Sequence, residues 1–326
     1  MTTSFSCPRE YLIYLQTVYG KFHPPGSSDR EFESITEAQL TQIDSSLSKL
    51  GQFGGLHLAI DALTNDVFRS LDRKDVDRIS TDIAIGVLPS GEGNAFIAKS
   101  PDGKFAVVLC SGLMLLLHKY FKLVRAFVAP EDVIHCNRKP ASDLTKDDLS
   151  SYIGDLIEMY RAHSAPYGPM IKLSDRATIE HSLLLHLAEL FILCHELGHF
   201  FNGDLADLSA YSPLATGADG HRYEEYQSHE IEHLADITGF GLYIRVVNGC
   251  QLDTSSMEVL KPILAMFNLF YALAGGASST HPHPYDRVVR IVTHHYGPST
   301  GQQIAAALSN PAILPTFFES GRDGPA

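Results

Sequence analysis

Residues 183–201 are apolar nearly all round a helix, from Leu183-Leu184-Leu185 through Phe191-Ile192-Leu193, yet the run carries His195-Glu196-Leu197-Gly198-His199 near its end. A helix that is hydrophobic on every side has to be buried. Two imidazoles and a carboxyl at the end of such a helix are costly unless something pairs with them. Residues four apart share a helical face, so His195 and His199 can reach one ion, and Glu196 lies beside that face, placed to take a proton from a bound water. The bland alternative is a surface helix with casually spaced His and Glu. The buried reading demands a thick core with a metal site set into it.

The chain can supply that core, with 326 residues of which 44% are hydrophobic. That length fits one large or two ordinary domains. A formal net charge of -13 argues against a nucleic-acid surface and against docking on anionic lipid. The N-terminus has no basic segment followed by an apolar one, so a signal peptide is not expected. Phe105 to Leu117 is too short to span a bilayer, and Val259 to Ala277 is interrupted by Lys261, Pro262 and Asn268, so no membrane span is expected. Five cysteines at 7, 110, 136, 194 and 250 form no CxxC pair, which points to a reducing, cytoplasmic setting. Of the 16 histidines, 11 fall between His181 and His295.

A catalytic zinc needs a third protein ligand and an open position. Glu232 and Asp236 are four apart and share a helical face. Glu232 can ligate while Asp236 hydrogen-bonds a ligating histidine from behind. The small Ala235 between them lets this helix approach the His195 helix closely. His229 and His233 form a competing pair at the same spacing. The other histidines are read plainly: His181 and His186 as core residues, His283 as solvated, His294 and His295 as helix-end groups. Cys194 points about 100° away from His195 and reads as core.

Periodicity places helices near 34–50, 56–71, 112–128, 149–162, 178–201, 223–247, 257–273 and 284–295, with a short one after Gly301. Three short β-type runs, Ile83–Leu88, Ala95–Ala98 and Phe105–Cys110, are separated by turn residues and predict a small antiparallel sheet. The expected fold is α+β and mainly helical. A helical N-terminal region would cover 1–80, and one domain would cover 81–326, with a polar, proline-broken, lid-like insertion at about 129–174.

The sequence resembles gluzincin metallopeptidases, nearest to the CAAX prenyl endopeptidase, HtpX-like and Oma-type family. His195-Glu-Leu-Gly-His199 continuing to Gly203-Asp204 looks like its HExxHxxxGD form, and Glu232-x-x-Ala235-Asp236 its ExxAD form. Asn94-Ala95-Phe96 resembles its NAF block, and Ser279-Thr280-His281-Pro282 with Arg287 resembles its STHP block. The resemblance implies a zincin-like fold, Zn2+ held by His195, His199 and Glu232, and Glu196 as general base. It implies Asp236 and Asp204 as supports behind the ligands, and the strand around Asn94, Ala95 and Phe96 as the edge where a peptide lies. His281 and Arg287 would approach the metal, stabilising an oxyanion or bracing ligands; Tyr223 and Tyr226 are weaker oxyanion candidates. Unlike for many members of that family, no apolar membrane helix is expected in this chain, and residues 1–80 have no counterpart in it.

The expected activity is zinc-dependent endopeptidase cleavage of a protein or peptide substrate. The alternatives are a narrow-specificity protease that cuts one host protein, of phage-exclusion or toxin type, and a non-catalytic zinc-binding regulator. Nothing in the sequence fixes an oligomeric state.

Overall fold

The structure is a computed structural model that describes residues 4–20, 54–205, 229–250, 256–274 and 281–309. The helix expected over 34–50, the tyrosines Tyr223 and Tyr226, and Ser279 and Thr280 lie outside those residues. Helices α1 (Pro8–Tyr19), α2 (Gly54–Ser70) and α3 (Arg73–Asp82) precede strands β1 (Ile83–Leu88), β2 (Ala95–Lys99) and β3 (Phe105–Cys110). Next come α4 (Ser111–Val128), β4 (Val133–Cys136), α5 (Lys146–His163) and β5 (Ile171–Leu173). The second half is helical: α6 (Asp175–Asn202), α7 (His229–Gly249), α8 (Ser256–Ala274), α9 (Pro284–Tyr296) and α10 (Pro298–Leu308). The architecture is α+β and mainly helical, as expected.

The sheet is mixed, which corrects the antiparallel expectation. Its order is β1-β3-β2, with β1 parallel to β3 and β2 antiparallel to β3. The Pro101-Asp102-Gly103 turn closes the β2–β3 hairpin, with Gly103 at φ 76°, a conformation glycine adopts without strain. The turn after β1 makes no hairpin because it is tied to the start of α4. There the Gly112 amide and the Ser111 hydroxyl both donate to the Ser90 carbonyl, at 2.7 and 3.0 Å. Among the described residues β2 is an edge strand.

Alternate residues of the sheet face two cores. Val87, Ile97, Val107 and Leu109 belong to the main core with α2, α4 and α6. Phe96, Ala98, Ala106 and Val108 belong to a smaller one with Phe5, Tyr11, Leu12 and Leu15. Helix α1 was not anticipated; its apolar stripe is short, with only Tyr11, Leu12 and Leu15 buried. Helix α3 was missed because it is very polar and buries one residue, Ile79.

The stretch at 129–174 packs onto the core. β4 and β5 pair antiparallel, and α5 opens with a capping box between Thr145 and Asp148. Leu149, Leu156, Tyr160, Ile171 and Leu173 join the main core. Arg125 of α4 clamps the segment by bonding Asp132 and Glu180 at 2.6 and 2.7 Å.

Helix α6 is the centre of the molecule, and residues 187–200 of it are all buried. It is long and apolar enough to cross a bilayer, and 56% of that apolar window is buried inside the protein, as for the central helix of a globular core. It crosses α7 at closest approach through small residues. A side chain at Gly198 would sit 2.6 Å from the Ala235 carbonyl, and one at Gly239 would sit 2.7 Å from the His195 Cα. The expectation for Ala235 holds, and Gly239, one turn further on, completes the contact.

Candidate metal centre

The local chain path builds the centre. Ser174 caps the start of α6 by accepting the Ala177 amide, and Gly203 ends the helix at φ 77°. That left-handed residue, natural to glycine, turns the chain so that the Asp204 amide donates to the His199 carbonyl at 3.1 Å. The Asp204 carboxylate thereby reaches His199 Nδ1 at 2.8 Å. On the other side of the α6–α7 crossing, Asp236 Oδ1 lies 2.9 Å from His195 Nδ1. Both imidazoles are held from behind by carboxylates, which leaves both Nε2 atoms pointing inward.

Those Nε2 atoms are 3.3 Å apart. Glu232 Oε2 is 3.6 Å from His195 Nε2, and Oε1 is 3.5 Å from His199 Nε2. The donor atoms of His195, His199 and Glu232 all lie within 4.8 Å of one another, and all three residues are buried. This group can hold a metal ion. Glu232 Oε2 is sealed from solvent and has no hydrogen-bond partner, the state of a ligand atom awaiting a cation. Two imidazoles and one carboxylate form a mixed nitrogen and oxygen donor set of the kind that transition metals accept.

Charge is balanced behind the ligands. Arg287 of α9 makes a two-pronged bond to Asp236, 2.7 Å on each oxygen, and its Nη2 lies 3.7 Å from Glu232 Oε2. Asp236 is fully buried, at 0% exposure. Burial alone would raise its carboxyl, but Arg287 and then His195 hold it down at about 2. Glu232 is likewise held low against its own burial, by His195 and Arg287. Burial also acts to lower His195, yet Asp236 and Glu232 outweigh it and hold the imidazolium up at about 10. Glu196 is buried and its carboxyl is raised by that burial, partly offset by His195 and His199.

The other expected residues fall as follows. His281 comes to the rim, half-exposed at 50%, with Nε2 3.9 Å from Glu232 Oε2. Arg287 is brought in, as a brace on Asp236 that sequence spacing alone did not reveal. Ala95 lies at the start of β2 and Asn94 just before it, whose carbonyl accepts the Cys110 amide at 3.0 Å. Phe96 packs its ring into the small core, so only its backbone belongs to the edge. His229 and His233 are outside the cluster, and His233 Nδ1 is sealed without a partner. His181 bonds the His118 carbonyl at 3.0 Å as a core residue. His186 pairs with Asp66 at 2.9 Å, and His283 is not simply solvated, since it caps α9 by accepting the Tyr285 amide.

The fold and site define a mainly helical α+β protein with a buried three-donor group that could hold a metal ion. No family profile, characterised protein or solved structure matches the chain, so the geometry carries the functional reading.

Proposed function

We propose that this chain is a zinc-dependent endopeptidase with a zincin-like fold. The observation that carries the reading is the contrast among the buried acids at the centre. Glu232 converges with two imidazoles, Asp236 and Asp204 are bonded to the backs of those imidazoles, and Glu196 has no hydrogen bond or ion pair among the described residues. A closed structural site needs no spare carboxylate and commonly has four protein ligands. Among the described residues this one has three and a free acid, which favours turnover over a purely regulatory site.

Zinc in this group would supply Lewis acidity toward a scissile carbonyl and lower the pKa of a water to about 7. Glu196, whose burial raises its carboxyl, takes the proton of the attacking water and passes it to the leaving amine. His281, exposed at the rim, donates toward the developing oxyanion. Arg287 is committed to Asp236 and positions His195 rather than meeting substrate. An extended peptide pairs with the free edge of β2, adding a strand to the sheet. All five cysteines are free, which supports a reducing, cytoplasmic setting.

One observation favours the narrow-specificity version. Tyr160 of the 129–174 segment donates to the Gly91 carbonyl at 2.7 Å, in the turn that leads into β2. Residues outside the metal centre thus flank the proposed substrate edge.

The test compares zinc-loaded wild type with Glu196→Gln on an unfolded protein substrate. Wild type is expected to cleave it, and the variant to keep its zinc and lose cleavage by at least about 10³-fold. Equal cleavage by the two proteins would refute the mechanism.

A further inference from the structure

Helices α2, α6 and α7 enclose a cavity of about 350 Å³ that is partly open to solvent and has none of the metal-centre residues on its walls. Small-molecule sites begin at about 300 Å³, so the space is large enough for a ligand. Two contacts hold it open. His186 of α6 bonds Asp66 of α2 through Nε2 at 2.9 Å. Helices α2 and α7 meet so closely that a side chain at Gly249 would sit 2.6 Å from the Ser70 hydroxyl. That hydroxyl in turn donates to the Asp66 carbonyl at 2.8 Å. The cavity is the space these contacts leave between three helices of the main core.

Its walls differ in character from floor to mouth. Leu190 and Val247, each 1% exposed, supply apolar surface inside. Leu183, His186 and Leu190 are spaced by three and four on α6 and so share one helical face. At the mouth Arg69 and Cys250 are exposed. The charges there are not balanced. Asp66 is already paired with His186, whereas Arg69 has no hydrogen bond or ion pair among the described residues. An arginine fork matches a carboxylate through two parallel hydrogen bonds, and the apolar floor favours a hydrocarbon body behind it. A cationic ligand would meet Arg69 as a like charge. The formal net charge of -13 works against loose adsorption of anions elsewhere on the surface, so an anion held here is held by local contacts.

We propose that this cavity binds a small organic carboxylate, with the anion on Arg69 at the mouth and the apolar chain against Leu190 and Val247. The assignment is independent of the peptidase reading, since no metal-centre residue takes part in it.

Cys250 makes the test local. Of the five cysteines only Cys7 and Cys250 are exposed; Cys250 lines the cavity and Cys7, just before α1, does not. The full chain is alkylated with iodoacetamide in the presence of octanoate, and the rate at each of the two cysteines is read by peptide mass spectrometry. Octanoate is expected to slow labelling of Cys250 and leave Cys7 unchanged. Arg69→Gln should raise the octanoate concentration for half protection about tenfold or more, and Arg69→Lys, which keeps the charge without the fork, should raise it less. Arg69 is exposed, so neither change disturbs the core. Acetate lacks the apolar chain and octylamine carries the opposite charge, so neither should protect at the same concentration. Cys250 labelling that octanoate leaves unchanged, or slows only together with Cys7, overturns the inference. So does protection that survives Arg69→Gln, or equal protection by acetate or octylamine.

Discussion

At the scale of single residues, the centre is a chain of obligations running backward from the donor atoms. His195 can present Nε2 because Asp236 holds Nδ1, and Asp236 can stay ionised at 0% exposure because Arg287 grips both its oxygens. Replacing Asp236 by Ala leaves Arg287 buried without its partner, so stability should fall by about 3–5 kcal/mol. Metal affinity should fall about 10–100-fold. Chemical denaturation and chelator competition measure the two effects. The same arrangement fixes a pH dependence. In the metal-free chain His195 is held at about 10 against an ordinary 6.5, so its stabilising contribution is complete below pH 6.5 and is lost as pH rises through about 10. Asp236, held at about 2 against 3.8, contributes fully above pH 3.8 and loses that contribution as pH falls through about 2. Zinc bound at this group would displace a proton from His195, so the gap in Tm between zinc-loaded and chelated protein should widen from pH 6.5 to 10. A constant gap would contradict the assignment of that proton. The pair at His195 and His199 was legible because a spacing of four is one helical turn. Arg287 was only half legible: it lies 51 residues from Asp236, and no local pattern links an arginine on α9 to an aspartate on α7.

At the scale of elements, the site depends on how closely α6 and α7 cross. Gly239 has no room for a side chain, since its Cβ would meet the backbone of His195 at 2.7 Å. Gly239→Ala should cost about 1–3 kcal/mol and weaken metal binding, because the obstacle is backbone and cannot swing aside. Gly154→Ala on α5 is the contrast. Nothing lies within 4 Å of that position, and the change should stabilise the helix by up to about 1 kcal/mol. Thermal denaturation of the two variants reads both signs. The sequence made Ala235 visible as a small residue between two functional ones, but Gly239 carried no such flag. The strands were legible as β-type runs, whereas their pairing was not. Turn residues announce that the chain reverses, yet whether neighbouring strands pair depends on where the turn is anchored, here at Ser111 and Gly112 of α4.

At the scale of the whole molecule, one core links the parts. Ile60, Leu63 and Val67 of α2 share it with α4, α6 and α8, and so do Leu149 and Leu156 of the 129–174 segment. Composition made that segment look polar because its buried residues are few and widely spaced. Burying them needs a partner surface on α4 that no local window contains. Since the candidate metal ligands come from two helices of this core, metal binding would be coupled to folding. The zinc-loaded chain at 100-fold excess over Kd should gain about 2.7 kcal/mol of stability, read as a rise in Tm that chelation reverses. The most direct test of the account is zinc stoichiometry by native mass spectrometry on protein expressed with ample zinc. Wild type and Glu196→Gln should each carry about one zinc per chain, while His195→Ala and His199→Ala carry none. A wild type without zinc, or zinc retained when both histidines are replaced, would contradict it.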